Sequence, residues 1–196
     1  MREILEAESK AVQSIPVTDD YEAVIELIVK LVKHEGGKLV TSGMGKSGQI
    51  ADNIASTFSS TGIPAVFLHP TEAQHGDLGV MQPHDVLLLL SNSGRTNEIC
   101  ELVNLARDIY PQLKIVAITG NKDSELAHLA DICLWTGNTC EVCPLGLTPT
   151  TSTTVMSVIG DVLVVNTMHA TGFTREDYVK RHNSGHLFNI AKGNKL

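Results

Sequence analysis

Five short apolar runs punctuate the chain: "KLVTSG" (38–43), "AVFL" (65–68), "DVLLLLS" (85–91), "KIVAITG" (114–120) and "DICLW" (131–135). None alternates strictly with polar residues, which marks strands covered on both faces. The segments between them repeat at three and four. "SGQIADNIASTFSST" (47–61) reads as a helix ended by Gly62. A second helix is expected from about Thr96 to Ile109, and a short one over 123–130. Strands alternating with helices predict a doubly wound α/β sandwich, with a five-stranded parallel sheet flanked by helices.

The flanks are helical too. Val24, Ile25, Ile28, Leu31 and Val32 define a helix with Thr18 as its N-cap and Gly36-Gly37 at its end. Residues 2–15 carry a weaker pattern (Ile4, Leu5, Ala11, Val12, Ile15) that Pro16 interrupts. A long helix from about Thr150 to His169 is apolar nearly all round and is expected to be buried. "TRED" (174–177) opens a last short helix with a capping-box-like start. No repeat or linker interrupts the series. The expectation is one domain over 1–196, with N-terminal helices at about 2–35, an α/β core at about 38–170 and a C-terminal helix and loop at about 174–196.

Charge narrows the partners. The net charge of −7 disfavours nucleic acid, which wants a basic face, but leaves room for a small anion held by backbone amides. The start, "MREILEAESK", is too charged for a secretory signal, and no apolar run approaches the ~18 residues of a membrane span. The expectation is a cytoplasmic protein with no membrane partner. Of the four cysteines, Cys140 and Cys143 form a C-x-x-C pair. Lacking a second such pair for zinc, they are expected to be buried, inert thiols rather than a metal or redox site.

Candidate chemistry gathers where strands end, since open parallel sheets bind ligands beyond their carboxyl edges. "SNSGRTNE" (91–98) follows the third run with Ser91, Asn92, Ser93, Thr96 and Glu98 and no large apolar side chain. Small residues let backbone approach an anion, and the next helix start adds N–H donors, so the segment reads as a phosphate cradle. A serine-rich turn with an N-cap is the plainer alternative. "TSGMGKSG" (41–48) brings Ser42, Gly43 and Lys46 to another strand end. It misses the spacing of a nucleotide-binding P-loop, because Val40 stands where the first glycine belongs. "HPTEAQHGDLG" (69–79) holds His69, Glu72, His75 and Asp77, but at spacings that make a poor metal site. Glu141 precedes a threonine-rich helix start, where simple capping would also explain it. His182 and His186 sit in "RHNSGHLF" (181–188), a glycine-containing loop.

Taken together these strings resemble the sugar isomerase (SIS) domain family. "SNSGRTNE" is similar to its S-x-S-G-x-T-x-E phosphate signature. The order "SGMGKSG", "STGIPAVFLHPTEAQHGDLG", "SNSGRTNEI", "CPLGLTPTTSTT" and "GDVLVV" resembles the D-arabinose 5-phosphate isomerases within it, over about residues 20 to 190. The resemblance implies a five-stranded α/β sandwich that interconverts D-ribulose 5-phosphate and D-arabinose 5-phosphate, the first step toward the sugar acid Kdo. It implies phosphate contacts from Ser42, Ser91, Ser93 and Thr96, and catalytic roles for Lys46, Glu98, Glu141 and His182, with His75 near the substrate. It implies no cofactor and no resident metal, and a homotetramer whose sites a neighbouring subunit completes.

Two features depart from the family pattern. "RHNSGH" puts Asn183 where proline is usual, which leaves the placement of His182 open. Many members carry paired CBS modules after the SIS part, and this chain stops at Leu196. Control is therefore expected at the active site, by Kdo or CMP-Kdo. The reaction needs a base near two adjacent carbons and charge stabilisation on an enediolate. A buried carboxylate with a raised pKa suits that base; Glu98 and Glu141 are the candidates, and His182 or His75 would open the sugar ring. A DNA-binding regulator is disfavoured by the acidic charge, and a non-catalytic module by the two glutamates. Another SIS sugar-phosphate isomerase remains the alternative.

Overall fold

The computed structural model describes residues 1–137 and 139–193, so the last three residues of the expected C-terminal segment lie outside it. Five parallel strands form one sheet: β1 (Leu39–Gly43), β2 (Ala65–Phe67), β3 (Val86–Leu90), β4 (Lys114–Thr119) and β5 (Ile132–Trp135), in the order β2-β1-β3-β4-β5. All five apolar runs are strands. In β3 the reason for an unbroken run is visible. Leu88 and Leu90 point into one apolar layer, Leu87 and Leu89 into the opposite one, and all are fully buried.

The helices are α1 (Arg2–Gln13), α2 (Asp20–Leu27), α3 (Gly45–Ser60), α4 (Pro70–Gln74), α5 (Asn97–Ile109), α6 (Glu125–Leu129), α7 (Thr151–Thr171), α8 (Arg175–Arg181) and α9 (His186–Ala191). α2 continues through Ile28–His34 as a wider π-type turn. α2, α3 and α7 cover one face of the sheet, and α5 and α6 the other. Asp85, fully buried at the foot of β3, pairs with Lys38 at 2.7 Å and accepts the backbone N–H groups of Lys38 and Gln82. A buried carboxylate needs such partners.

Several expectations are corrected. α7 is not buried all round: Val155, Met156, Ile159 and Leu163 face the core, while Val162 and Val165 stand exposed at 38% and 48%. Thr18 does not cap α2; its hydroxyl bonds Asp20, and Asp19 holds the N-cap position. Thr174 does make the full capping box with Asp177 at the start of α8. The thiols are not uniformly buried: Cys100 is, Cys133 and Cys143 are half-buried, and Cys140 is exposed. α4 and α9 were not expected as helices. Pro70 opens α4 at its first position, where a missing N–H costs nothing.

Candidate active site

The sheet order reverses between β1 and β3: the chain runs outward from β1 to β2, then returns to β3 and continues to β4. Gly43 pairs with Leu90, so the loops after β1 and β3 leave adjacent strand ends together. α3 then departs over one face and α5 over the other, opening a crevice between them. This switch point is where an open α/β sheet binds ligands.

On one side of the crevice stands the 91–98 loop. Ser91 is buried, and its hydroxyl lies 2.9 Å from that of Thr96 and accepts the Gly94 N–H at 3.2 Å. Ser93 accepts the Arg95 N–H at 3.2 Å. Gly94 sits at φ 62°, and a Cβ there would collide with Ser124, so only glycine closes this turn. Thr96 is the N-cap of α5, but its hydroxyl makes no cap bond to that helix. Ile99 and Cys100 donate their N–H groups to the Thr96 carbonyl at 3.1 Å. The amides ahead of them are left for an outside acceptor, with the positive end of the helix dipole behind them. Asn92 and Ser93 are exposed, and Glu98 stands half-buried in the first turn of α5. α4 packs on α5 through a bond of 3.0 Å from Gln74 to Glu101. Glu101 follows Glu98 by three residues and so shares its helix face. His75, exposed at the end of α4, is thereby brought to the Glu98 side of the crevice.

On the other side stands the 42–47 turn. Ser42 is buried, but its hydroxyl donates to Leu68 O at 2.6 Å, so it braces the turn after β2. Gly43 lets the strand end touch α3: a Cβ on Gly48 would sit 2.5 Å from the Gly43 carbonyl. Lys46 is exposed, and its ammonium donates to Gln49 Oε1 at 3.3 Å. Glu141 reaches the same end of the sheet by helix pairing. α7 packs on α3, and a Cβ on Gly160 would meet Ile54 at 2.5 Å. Both helices end near the start of β1, where Ala170 of α7 lines a cavity with His34 and Leu39 bonds Pro64 just past α3; Gly160 and Ile54 each lie nine residues past the start of their helix, so the two starts lie at the same edge.

Glu141 caps α7. Its carboxylate accepts the Thr150 N–H at 2.8 Å, the Thr150 hydroxyl at 3.0 Å, the Ser152 N–H at 3.3 Å and a short bond from the Ser152 hydroxyl. Burial pushes this carboxyl up, but the hydrogen bonds from Ser152 and Thr150 outweigh it and hold it below the usual range. The raised pKa expected of a catalytic base is absent at Glu141.

His182 stands apart from both walls. It ends α8, stacks on Tyr178 with ring centres 3.8 Å apart, and places Nδ1 3.0 Å from Tyr178 O. A carbonyl only accepts, so Nδ1 is the donor in this bond. The neighbouring Arg181 guanidinium packs on Gly62, just beyond the far end of α3. α3 has 16 residues, about 24 Å at helical rise, so His182 lies near the opposite edge of the sheet from Lys46. Among the described residues no three His, Cys, Asp or Glu side chains group as metal ligands.

With this geometry in view, the comparisons are specific. Residues 31–166 match the family model described as the SIS domain. The chain belongs to the SIS domain family. Arabinose 5-phosphate isomerase KdsD of Yersinia pestis is 41% identical over 188 residues, covering 95% of this chain and 56% of that protein. The chain spans about half the length of the curated relatives it matches. A Bacteroides fragilis structure, described as a candidate phosphosugar isomerase involved in capsule formation, superposes with a TM-score of 0.93 at 64% identity. That match covers 94% of this chain and 96% of the other. An Escherichia coli CFT073 protein solved in complex with arabinose 5-phosphate has a TM-score of 0.80 at 36% identity, covering 90% and 92%.

In this SIS domain the structure gathers Ser42, Gly43, Lys46, His75, Ser91, Asn92, Ser93, Thr96, Glu98 and Glu141 at one edge and leaves His182 at the other. Sequence reasoning did not foresee Thr150 and Ser152 as the anchors of Glu141, although a threonine-rich helix start already hinted at capping. A second concavity lies away from this crevice. A groove of about 860 Å³, lined among others by Val12, Ile15, Tyr21, Ile25 and Val162, lies between α1, α2 and α7. Its lining is mainly apolar, carries the carboxylates of Asp19 and Glu22, and includes no lysine or arginine to meet a phosphate.

Proposed function

We infer that this SIS domain is an aldose–ketose isomerase acting on D-arabinose 5-phosphate and D-ribulose 5-phosphate. The observation that carries this is the hydroxyl-lined 91–98 loop at the β1/β3 switch point, with Glu98 in the first turn of the helix whose free amides face the same crevice. The relatives named arabinose 5-phosphate isomerase and the E. coli structure with that sugar phosphate bound support the choice of sugar.

The phosphate would rest on Ser91, Ser93, Thr96 and the α5 amides. That leaves the first two carbons of the pentose toward Glu98 and Lys46. Glu98 takes the proton from carbon 2 of the aldose and returns it to carbon 1, while the proton of the carbon-2 hydroxyl passes to the carbon-1 oxygen, giving the ketose. Lys46 offsets the charge of the enediolate, where preorganised cations act most strongly. Glu141, held ionised in its cap, serves as a second fixed negative charge beside Lys46 rather than as the moving base. Ring opening of the cyclic aldose falls to His75 or to His182 of another copy.

A homotetramer fits this division. α1 buries none of its residues in the single chain, and its Ile4 and Leu5 stand exposed at 49% and 70%. A second copy covering such surface would also bring a His182 to a neighbour's crevice. The product would feed Kdo synthesis for lipopolysaccharide or capsule, and the anion-holding crevice suits Kdo or CMP-Kdo as competitive ligands. No cofactor enters these steps.

The test is a panel of pentose and hexose phosphates with the purified chain, followed by proton NMR in deuterated water. Interconversion of the two pentose phosphates with solvent deuterium at carbon 1 or 2 supports the reading. Turnover confined to another sugar phosphate replaces the substrate, and binding without turnover to any sugar phosphate overturns the enzyme. Activity that survives EDTA is expected; loss restored by one metal would refute a proton-transfer mechanism without metal.

A further inference from the structure

The loop that carries Glu141 also carries the C-x-x-C pair, and that pair has no part in the isomerase chemistry. Cys143 Sγ accepts two backbone N–H groups, from Leu147 at 3.3 Å and from Thr148 at 3.1 Å. The Gly146 N–H bonds back to the Cys143 carbonyl at 2.9 Å, so residues 143–148 fold into a small turn around the sulfur. Backbone amides aimed at a sulfur favour its anion, as they favour other anions. Cys143 is half-buried and Cys140, three residues earlier, is exposed.

The other thiols show the contrast within one molecule. Cys100 is buried under α5, and burial pushes its thiol up; Cys133 on β5 is pushed up for the same reason. Hydrogen bonds from the Thr148 side chain, and then from the backbone of Thr148 and Leu147, bring Cys143 down to about 7. Glu141 sits between the two loop cysteines, and its carboxylate is the cap of α7.

We propose that Cys143 is a modification site for hydroperoxides, that Cys140 resolves the oxidised sulfur as a Cys140–Cys143 disulfide, and that this bridge stops turnover by pulling Glu141 off the α7 cap. In the first step the Cys143 thiolate attacks a peroxide oxygen. A sulfur–oxygen bond forms, the oxygen–oxygen bond breaks, and an alkoxide or hydroxide leaves; sulfur is oxidised by two electrons and the peroxide reduced. In the second step Cys140 attacks the sulfenic sulfur. The disulfide forms, and the hydroxyl leaves with the thiol proton as water. A disulfide needs Cα atoms within about 7 Å, so residues 140–143 must close into a tight turn. Closing that turn would draw Glu141 away from Thr150 and Ser152, whose four hydrogen bonds hold it in the reduced loop.

The effect on turnover rests on the isomerase reading above; the thiol chemistry does not, and the readouts are chosen to separate them. The full chain is treated with hydrogen peroxide, and its peptides are mapped by mass. The expected product is a Cys140–Cys143 bridge, two hydrogens lighter, with Cys100 and Cys133 unchanged, and more than a tenfold loss of rate that dithiothreitol restores. C140S should carry sulfenic or sulfinic acid at Cys143, form no bridge and keep most of its rate. C143S should resist peroxide. Iodoacetamide at pH 7 should label Cys143 at least about threefold faster than Cys140, since the gain in thiolate outweighs the lower intrinsic nucleophilicity. Equal labelling, or oxidation that spares Cys143, overturns the site. A bridge that forms with full turnover overturns the link to Glu141. If no sugar phosphate is turned over, the mass map alone still decides the thiol chemistry, and only the isomerase reading fails.

Discussion

Glu98 and Glu141 are both half-buried carboxylates at the same edge of one sheet, and the chain treats them in opposite ways. Glu141 is saturated: Thr150 and Ser152 supply four hydrogen bonds, and the start of a 21-residue helix depends on it. Among the described residues no side chain or amide cages Glu98 in this way. It projects from the first turn of α5 beside a loop whose hydroxyls satisfy one another and whose helix amides await an acceptor. A carboxylate held by several donors is committed to its charge and its place, and makes a poor proton carrier. The fold consumes Glu141 and leaves Glu98 for a substrate.

The largest effect is expected when each carboxylate is exchanged for its amide. Glu98→Gln should lower kcat by ~10²–10⁴, the usual cost of a lost general base, with the melting midpoint and the affinity for inorganic phosphate nearly unchanged. Glu141→Gln should differ in kind: it should cost stability as well as rate, whereas Glu98→Gln costs rate alone. Near-normal kcat in Glu98→Gln would transfer the base to Glu141 and erase the distinction.

A second experiment extends the comparison to the far edge, where His182 stands about a helix length from the crevice. His182→Asn and Glu98→Gln should each be slow alone. If the histidine comes from another copy, the two proteins mixed, dissociated and reassembled should regain about a quarter of wild-type activity, because random pairing rebuilds one site in four. No recovery, with mixed assemblies present by native mass spectrometry, would confine each site to one chain and leave ring opening to His75.

Much of this was legible in the sequence, for a physical reason. Strands covered on both faces must be apolar at every position, so "DVLLLL" and its four companions mark the sheet almost to the residue. The phosphate loop is equally legible, because only small residues fit where backbone and ligand meet. Two kinds of feature were not. α7 reads as apolar all round, yet Val162 and Val165 face outward; a list of apolar residues does not say which side another surface covers. Glu141 and His182 illustrate the second kind. Whether a carboxylate is caged, and at which end of the molecule a histidine lands, depends on contacts between segments that sequence spacing does not encode. Asn183, which put His182 in doubt, lies just beyond the α8 end; it is the helix that carries His182 away from the crevice.

The contrast between the carboxylates also has a thermal reading. Glu141→Gln keeps the shape of the cap but removes the charge that the helix start favours. Losing a capping side chain typically costs about 1 kcal/mol. For a domain of this size that lowers the melting midpoint by roughly 2–4 °C. Differential scanning calorimetry at pH 7 should show this shift, and none for Glu98→Gln. Equal shifts in the two variants would mean that Glu98 is caged as well.

The smallest effect is the pH dependence of that shift, and it isolates the charge from the shape. The Glu141 carboxyl is held below the ordinary glutamate value, near 4.3, by its bonds to Ser152 and Thr150, against the upward push of burial. A group whose folded value is depressed stabilises the fold above its unfolded value, and loses that contribution as pH falls through the folded one. The wild type and Glu141→Gln should therefore differ by a constant amount from pH 7 to about 5. As pH falls below the ordinary glutamate value and through the depressed folded one, the wild-type carboxyl takes up a proton and comes to resemble the amide, so the two curves should converge. Other carboxylates titrate in the same range, but they do so in both proteins and cancel in the difference. A gap that stays constant down to pH 3 would show that the hydroxyl and amide contacts, not the charge, carry the cap, and the distinction between a caged and a free carboxylate would then rest on Glu98 alone.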